Sequence, residues 1–221
     1  MTNANPTGPD NRRPLASRQT GWAAALTHML AKTSITPNQI SVASMVAAAA
    51  AGAALWSAGL ADDAFQRAIL LVAAALFCQL RLLCNLLDGM VAIEAGKSAS
   101  DGAFWNEMPD RVSDLLILAG LGYGVGQPAL GWAAVALAIF TAYVRELGRA
   151  CGLSADFSGP MAKPHRMALV TAAALASVLE PLWNGHNELL LAALWLVAVG
   201  AGVTVVRRAA RLVRGLRARQ P

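Results

Sequence analysis

The sequence predicts an all-α protein, a polytopic membrane bundle of six transmembrane helices with an amphipathic juxtamembrane helix before them. Apolar residues make up 56% of the 221 residues and charged residues only 14%, whereas soluble proteins carry about a quarter charged residues. Long stretches of alanine, leucine and valine contain no charge, as helices surrounded by lipid require. A soluble domain with this composition would lack the polar residues to cover its outside.

The chain divides into three parts. Residues 1–20 are polar and contain no apolar run, so we expect a disordered cytoplasmic tail rather than a cleavable signal peptide. Residues 21–208 form the six-helix transmembrane domain, and residues 209–221 form a basic cytoplasmic tail. Apolar residues recur at helical spacing between Gly21 and Lys32, a segment too short to cross a bilayer, which predicts a helix at the membrane surface. Thr36 and Pro37 then favour the start of a spanning helix, as its cap and first helical residue.

Six hydrophobic segments are long enough to cross roughly 30 Å of hydrocarbon. They cover residues 37–59, 65–94, 102–125, 128–152, 164–182 and 187–207. The third segment is polar over residues 102–114, so this half must face the protein interior or water rather than lipid. Small residues between Ala47 and Ala54 let neighbouring helices pack closely. The three cysteines, Cys78, Cys84 and Cys151, show no paired spacing and are expected to be small core residues.

Basic residues are concentrated on one side of the predicted bundle, at both termini and in the loops after the second and fourth segments. By the positive-inside rule both termini are cytoplasmic. Two termini on the same side require an even number of spans. The C-terminal arginines suit a solvated tail or an anchor on anionic lipid. Nucleic-acid binding is the other interpretation of a formal charge of +5. It would need a basic face on a soluble module, and the apolar composition argues against one.

The end of the second segment and the start of the third carry polar residues that are unusual in a membrane helix. Asn85 and Asp88 are three residues apart, and Asn106 and Asp110 are four apart. Each pair therefore lies on one helix face, and the two faces can converge on a cation. Oxygen ligands of this kind suit Mg²⁺, Mn²⁺ or Ca²⁺, and a metal beside a carboxylate suits phosphoryl transfer to an alcohol. Alternatively, these residues bind no cation and only form interhelical hydrogen bonds or contact lipid headgroups.

The stretch from Asn85 to Asp110 resembles the signature of the CDP-alcohol phosphotransferase family, D-x2-D-G-x2-A-R-x8-G-x3-D-x3-D, with every spacing kept. Five positions match the signature literally, and these are Asp88, Gly89, Ala92, Gly102 and Asp110. The departures are Asn85 and Asn106 in place of aspartates and Ile93 in place of the arginine. The resemblance covers most of the chain by topology, although only residues 85–110 match a specific motif.

The resemblance implies a metal-dependent enzyme and makes residues 21–208 the catalytic domain of a homodimer. Such an enzyme moves a phosphatidyl group from a CDP-linked donor, here expected to be CDP-diacylglycerol, to a small alcohol and releases CMP. It uses Mg²⁺ or Mn²⁺ and works in phospholipid biosynthesis; with no targeting segment, we expect it in a bacterial inner membrane with a cytoplasmic active site. The implied metal set is Asn85, Asp88, Asn106 and Asp110, with Asp110 also the general base. The implied donor-binding residues are Asp88, Gly89, Ala92, Lys97, Ser98 and Gly102.

The departures from the signature change the expected chemistry. The amide oxygens of Asn85 and Asn106 can coordinate a cation but bring no charge, so two divalent ions would be poorly neutralised without the substrate pyrophosphate. We therefore expect one metal ion, or weak binding that tightens when the nucleotide arrives. Ile93 cannot pair with phosphate, and Lys97 with Ser98 or Ser100 could take over part of that task. Asp101, Glu107 or Asp114 could supply the missing negative charge. Asp114 also allows the end of the signature to be aligned four residues further along the chain.

A second cluster of basic residues lies around the loop between the fourth and fifth segments. A contact with anionic lipid explains Arg149 equally well, which leaves Arg145, Lys163, His165 and Arg166 as candidates for a substrate site. A Gly-Pro loop that leads into a helix start with cationic side chains favours an anion site. The cluster is similar to the basic loop that family members place near the acceptor phosphate or the donor headgroup, which implies acceptor and phosphate binding for these four residues. A phosphorylated acceptor, such as glycerol phosphate or inositol phosphate, would suit the charges. Anionic lipids would explain them as well.

Two other functions are compatible with the sequence. A catalytically weakened relative that binds nucleotide or lipid as a partner protein would explain Asn85, Asn106 and Ile93. A small transporter or channel would need polar residues distributed across the bilayer, whereas here they gather at one end of the second and third segments. Titration with metal and CDP beside a CMP-release assay separates the enzyme from the weakened relative.

Overall fold

A computed structural model describes residues 20–94, 96, 100–183 and 185–219. The predicted tail up to residue 19 and the predicted donor-loop residues Lys97 and Ser98 lie outside this part. The described residues are helical without strands, which confirms the predicted all-α class. The helices are α1 (Gly21–Ala31), α2 (Pro37–Leu60), α3 (Ala64–Glu94), α4 (Gly102–Gly124), α5 (Pro128–Ala150), α6 (Lys163–Ser177), the 3-10 helix η1 (Glu180–Trp183) and α7 (Glu188–Arg217).

The helix boundaries follow local sequence signals. At the start of α2, the Thr36 hydroxyl accepts a hydrogen bond from the Gln39 N–H (3.2 Å), and the Gln39 side chain accepts one from the Thr36 N–H (3.0 Å). This capping box satisfies two backbone donors that have no partner within the helix. Pro37 and Pro128 occupy the first turns of α2 and α5, where a proline costs no hydrogen bond. At the other end of the chain α7 continues to Arg217, so most of the basic segment after residue 208 is helical.

Four of the described helices, α2, α3, α5 and α7, are long and apolar enough to cross a membrane, which makes the chain an integral membrane protein. The first half of α4 is polar, as the sequence indicates, and this lowers its mean hydropathy. The helix α6 has 15 residues and is therefore only about 22 Å long. These two helices correspond to the third and fifth predicted segments.

The six longer helices pack as a closed ring in the order α2, α3, α6, α7, α5 and α4, and α4 also touches α7 across the ring. Fully buried side chains such as Leu71, Ile117 and Leu194 fill its interior. The short α1 packs against α3 on the outside, where Leu26 and Leu30 lie against a small apolar cluster. Most of the buried apolar residues of the ring form one core, and polar residues inside it need partners from neighbouring helices.

The helices α2 and α4 approach each other closely because glycine and alanine line their contact. A Cβ atom on Gly52 would collide with the backbone carbonyl of Leu116, and one on Gly120 would collide with the backbone of Gly52. Ala48 and Ala51 are also fully buried, as the small residues of this segment predict. The contact holds α4 against α2, and α2 in turn packs on α3.

A buried ion pair joins three helices at the end of the ring where α3 begins. The Arg67 Nη2 atom lies 2.5 Å from Glu180 Oε2, and Arg67 Nη1 donates to the Ser177 carbonyl (2.8 Å). Glu180 also accepts hydrogen bonds from the backbone N–H groups of Asn187 (3.0 Å) and Leu189 (2.7 Å). Both charged side chains are buried. The pair thus ties the start of α3 to the end of α6 and the start of α7.

Candidate functional site

Three polar residues of the signature, Asn85, Asp88 and Asp110, lie close together at the opposite end of the ring. Asp88 of α3 is buried and accepts a hydrogen bond from Ser41 Oγ of α2 (2.7 Å). Asp110 of α4 is buried as well; it accepts from Arg81 Nη2 (3.0 Å) and from the ammonium of Lys163, the first residue of α6. Asp88 lies within electrostatic range of both Asp110 and Lys163. The two motif carboxylates therefore lie near each other but have different hydrogen-bond partners.

Asn85 connects these groups in one amide orientation. In that orientation its Nδ2 donates to Asp110 Oδ1 (2.7 Å) and its Oδ1 accepts from Lys163 Nζ (2.7 Å), so both neighbours are satisfied. The Lys163 ammonium thus contacts one carboxylate oxygen and one amide oxygen from two different helices. Oxygen atoms of the signature converge on a positive charge.

These residues have the chemistry of a divalent cation site but less than its usual charge. Because the Lys163 ammonium already lies where the oxygens of Asn85 and Asp110 converge, the same atoms, with Asp88 beside them, fit Mg²⁺ or Mn²⁺ in kind. Among the residues that the structure describes, no group of three or more His, Cys, Asp or Glu could hold a metal ion. The fourth predicted ligand, Asn106, is exposed one turn before Asp110 and lies outside the buried contacts described above.

A second buried ion pair lies one helical turn deeper. Arg166 Nη2 is 2.6 Å from Asp114 Oδ2, and both side chains are almost fully buried. Arg166 Nη1 also donates to the Met161 carbonyl (2.9 Å). Asp114 thus pairs with a residue of α6, whereas Asp110 also contacts Arg81 of α3.

The four basic residues predicted to bind acceptor or phosphate do not gather in one place. Lys163 contacts Asp110 and Arg166 contacts Asp114, whereas His165 is exposed. This follows from helix geometry, because residues 163 and 166 of α6 share a face that residue 165 does not. Arg145 instead binds two glutamates, Glu107 at 2.5 Å and Glu146 at 2.8 Å. Its guanidinium also lies 5.3 Å from the ring centroid of Phe157.

The glycines of the signature border open space. Apart from each glycine's chain neighbours and its own helix backbone, no atom of the described residues lies within 4 Å of a Cβ built on Gly89 or Gly102, so a ligand can approach the backbone at both positions. Ala92 is half-buried and Ile93 is exposed on the last turn of α3. Gly89 and Gly102 of the predicted donor site thus leave their backbone accessible to a ligand.

A cavity of about 340 Å³ lies between the end of α5, the following loop and α7. Arg145, Arg208, Arg211 and Asp156 are among the residues that line it. Partial burial opposes ionisation of Asp156, but hydrogen bonds from Ser158 and the nearby Arg211 and Arg208 lower the pKa of this carboxyl below its usual value. The cavity is therefore a basic one with a single charged acid among those lining residues.

Sequence reasoning missed two residues of the buried site, Arg81 and Ser41. Arg81 is charged within an apolar helix and lies four residues before Asn85, so its helix face was an available signal. Ser41 gives no comparable signal, because a serine near the start of α2 is common in membrane helices. Its role as a donor to Asp88 depends on the packing of α2 against α3.

The fold is a ring of helices that buries polar residues at one end, and it places the chain in a class of polytopic α-helical membrane proteins. Structures of proteins with this fold have been solved. The structure of Mycobacterium tuberculosis phosphatidylinositol phosphate synthase with CDP-DAG bound has a TM-score of 0.70 and 22% identity, over 86% of this chain and 92% of that one. The structure of the same synthase in complex with manganese and citrate has a TM-score of 0.71 and 22% identity, over 86% and 88%. These similarities establish the fold.

The chain belongs to the CDP-alcohol phosphotransferase family, as the signature predicts. It is 31% identical to the archaetidylinositol phosphate synthase of Aeropyrum pernix over 195 residues, which are 88% of this chain and 92% of that protein. It is 33% identical to the phosphatidylinositol phosphate synthase of Mycobacteroides abscessus over 135 residues, or 56% of this chain. The latter alignment spans only 57% of the mycobacterial protein. No protein-family model matches the chain.

Proposed function

We propose that this protein is a metal-dependent CDP-alcohol phosphatidyltransferase that transfers a phosphatidyl group from CDP-diacylglycerol to an alcohol and releases CMP. The observation that carries the proposal is the convergence of Asn85 and Asp110, from two helices, on the Lys163 ammonium, with the buried Asp88 close enough to interact electrostatically with both charged groups. Family membership and the similar fold of a structure with CDP-DAG bound support the donor. The names of the relatives favour an inositol phosphate as acceptor.

Asp110 is the general base in this proposal. The hydroxyl oxygen of the acceptor attacks the lipid-bearing phosphorus of the donor, the bond from that phosphorus to the CMP oxygen breaks, and the hydroxyl proton passes to Asp110. In the present arrangement Arg81, Asn85 and Lys163 all donate to this carboxylate. One of its oxygens must therefore be released before it can take the proton.

Asn85, Asp88 and Asp110 would hold the divalent cation, with Asn106 the fourth ligand if its side chain turns inward. When bound there, Mg²⁺ would neutralise the pyrophosphate and make the nucleotide a better leaving group. Mg²⁺ is our proposal, and the manganese in the similar structure supports a divalent ion in general. We place the donor pyrophosphate in the open region beside Gly89, Ala92 and Gly102, with Lys97 and Ser98 as further contacts.

The basic cavity is the proposed place of the acceptor phosphate. Arg145, Arg208 and Arg211 line it, and guanidinium groups pair well with phosphate. Arg145 also binds Glu107, which is three residues before Asp110 on α4, so the cavity lies beside the carboxylate site. Lys163 and Arg166 bind aspartates and are not among the residues that line this cavity, so the proposed contacts of the acceptor phosphate are the arginines of α5 and α7. His165 faces outward and would contact solvent or headgroups.

We propose six membrane spans, with both termini and the site on the cytoplasmic side of a bacterial inner membrane. Helix α4 crosses with its polar half inside the ring, and α6 crosses together with η1. The basic residues at the end of α5, the start of α6 and the end of α7 then face the cytoplasm. The α1 helix lies at the membrane surface, and the family resemblance suggests a homodimer.

The test is release of CMP from CDP-diacylglycerol by the purified protein, with a panel of alcohols and identification of the lipid product by mass. Asp88→Ala and Asp110→Asn should each abolish release, whereas Asp62→Asn, at an exposed acid far from the site, should not change it. Unchanged turnover in both site variants would remove this mechanism. A product formed with inositol phosphate alone would identify the acceptor.

The second candidate function is a nucleotide- or lipid-binding partner protein without turnover. The three donors that engage Asp110, together with the uncharged Asn85 and Asn106, favour it, since a general base needs a free oxygen. Thermal stabilisation by CDP and Mn²⁺ without CMP release from any acceptor would support this function over the enzyme.

A further inference from the structure

The ammonium of Lys163 occupies a place among the oxygens of the predicted metal ligands. It contacts Asp110 Oδ2 and lies 2.7 Å from the oriented Asn85 Oδ1, and it lies within electrostatic range of Asp88. A metal ion coordinated by the same oxygens would need the same volume. Lys163 and a metal ion therefore exclude each other.

The formal charges of the buried site sum to zero without a metal ion. Asp88 and Asp110 carry two negative charges, and Arg81 and Lys163 carry two positive charges. Asn85 and Asn106 contribute none. A divalent ion added to this balanced set would leave two uncompensated positive charges in a largely buried place, which is unfavourable.

Of the two cations on Asp110, Lys163 is the one that can withdraw. Arg81 is fully buried in the middle of α3, so its movement would leave a charge inside the ring. The Lys163 side chain is 20% exposed and begins at the first residue of α6. A lysine is a strongly hydrated point charge on a flexible stem, so it can exchange the carboxylate for a phosphate oxygen at small cost.

We propose that Lys163 is a tethered cation that competes with the divalent ion for Asp110, and that the pyrophosphate of the donor relieves the competition by drawing Lys163 away. This inference rests on the proposed function for the identity of the donor. Departure of Lys163 leaves the site with one net negative charge, and the pyrophosphate supplies further negative charge for the metal. Metal and nucleotide binding are then coupled, which also frees the Asp110 oxygen that the reaction needs.

The test measures Mn²⁺ affinity directly, by loss of the free-ion electron paramagnetic resonance signal, in the full-length protein purified in detergent. Without nucleotide, Lys163→Met should bind Mn²⁺ at least about tenfold more tightly than the parent. The repulsion between two unit charges about 4 Å apart near a protein surface is larger than the free-energy difference that corresponds to a tenfold change in affinity. CDP should tighten Mn²⁺ binding by the parent more than by Lys163→Met. Lys163→Gln, which keeps a polar side chain, is measured in parallel so that the test does not depend on one variant folding.

Two controls limit the result to this site. Lys32→Met removes the same charge from an exposed lysine after α1 and should leave Mn²⁺ affinity unchanged. Asp110→Asn, alone and combined with Lys163→Met, should abolish the binding. Equal or weaker Mn²⁺ binding by both Lys163 variants would overturn the inference, as would tight binding that survives Asp110→Asn.

The outcome is separable from that of the proposed function. A protein that releases CMP but binds Mn²⁺ equally with and without Lys163 refutes the competition alone. A protein in which Lys163→Met tightens Mn²⁺ binding, but which releases no CMP from any acceptor, supports the competition and refutes the transferase.

Discussion

The buried pair of Arg67 and Glu180 should contribute several kcal/mol to stability, because each charge depends on the other. In Arg67→Met the Glu180 carboxylate would stay fully buried, with hydrogen bonds only from the backbone of Asn187 and Leu189. Loss of one partner of a buried ion pair typically costs about 3–5 kcal/mol. We therefore expect the free energy of unfolding of Arg67→Met to fall by about that amount.

A double-mutant cycle separates the pair from general effects of substitution. Glu180→Gln removes the charge but keeps a carbonyl acceptor, so the combination with Arg67→Met should be more stable than Arg67→Met alone. The coupling energy should be about 1–3 kcal/mol. The assay is reversible unfolding in mixed detergent micelles, followed by circular dichroism. Asp62→Asn, an exposed acid near the same end of the ring, should change stability by no more than about 0.5 kcal/mol.

The same variants test whether the two ends of the ring are independent. Mn²⁺ affinity of folded Arg67→Met should equal that of the parent, because the pair lies at the end of the ring away from Asp88 and Asp110. If each single variant lowers the free energy of unfolding by less than about 1 kcal/mol, or if the two effects simply add, the pair does not stabilise the contact between these helices as its hydrogen bonds indicate.

Three further predictions concern packing, capping and a loop. Gly120→Ala should lower stability by about 1–3 kcal/mol, measured as above, because its Cβ would meet the backbone of Gly52; a loss below about 0.3 kcal/mol would contradict the close contact. Thr36→Ala should cost about 0.5–2 kcal/mol through loss of the capping box, and Thr36→Ser should restore most of it. The pKa of Asp156 is lowered in the folded protein. Its charge therefore stabilises the fold at pH values above the ordinary aspartate pKa, and this stabilisation is lost as the pH falls through the lowered pKa. The difference in thermal stability between Asp156→Asn and the parent should therefore shrink below about pH 4; a difference that is constant from pH 7 to pH 3 would refute it.

The helices were largely predictable because lipid imposes a simple rule on sequence. Uncharged apolar runs and the Thr36-Pro37 start indicated segments 37–59 and 65–94, close to α2 (Pro37–Leu60) and α3 (Ala64–Glu94). The end of α7 was less predictable, since the arginines beyond residue 208 gave no signal for the end of the helix. The order of helices around the ring depends on packing between distant segments. The periodicity of apolar residues within one helix does not predict that order.

The candidate site was predictable only in part. Spacing of three and four residues predicted shared faces for Asn85 with Asp88 and for Asn106 with Asp110, yet Asp110 is buried whereas Asn106 is exposed. The position of Lys163 could not be obtained in this way, because it depends on which helix lies beside α3 and on the reach of a long side chain. Arg166 was predicted to contact phosphate, yet burial makes Asp114 its partner, since a buried charge needs a counter-charge close by.

Anomalous diffraction at the manganese edge, from crystals grown with Mn²⁺ and CDP, would show directly whether a metal ion occupies this site. We expect one manganese peak coordinated by Asn85, Asp88 and Asp110, with Lys163 moved from Asp110 to a phosphate oxygen. Absence of a peak at these ligands, with Lys163 still bound to Asp110 in the presence of nucleotide, would contradict this expectation.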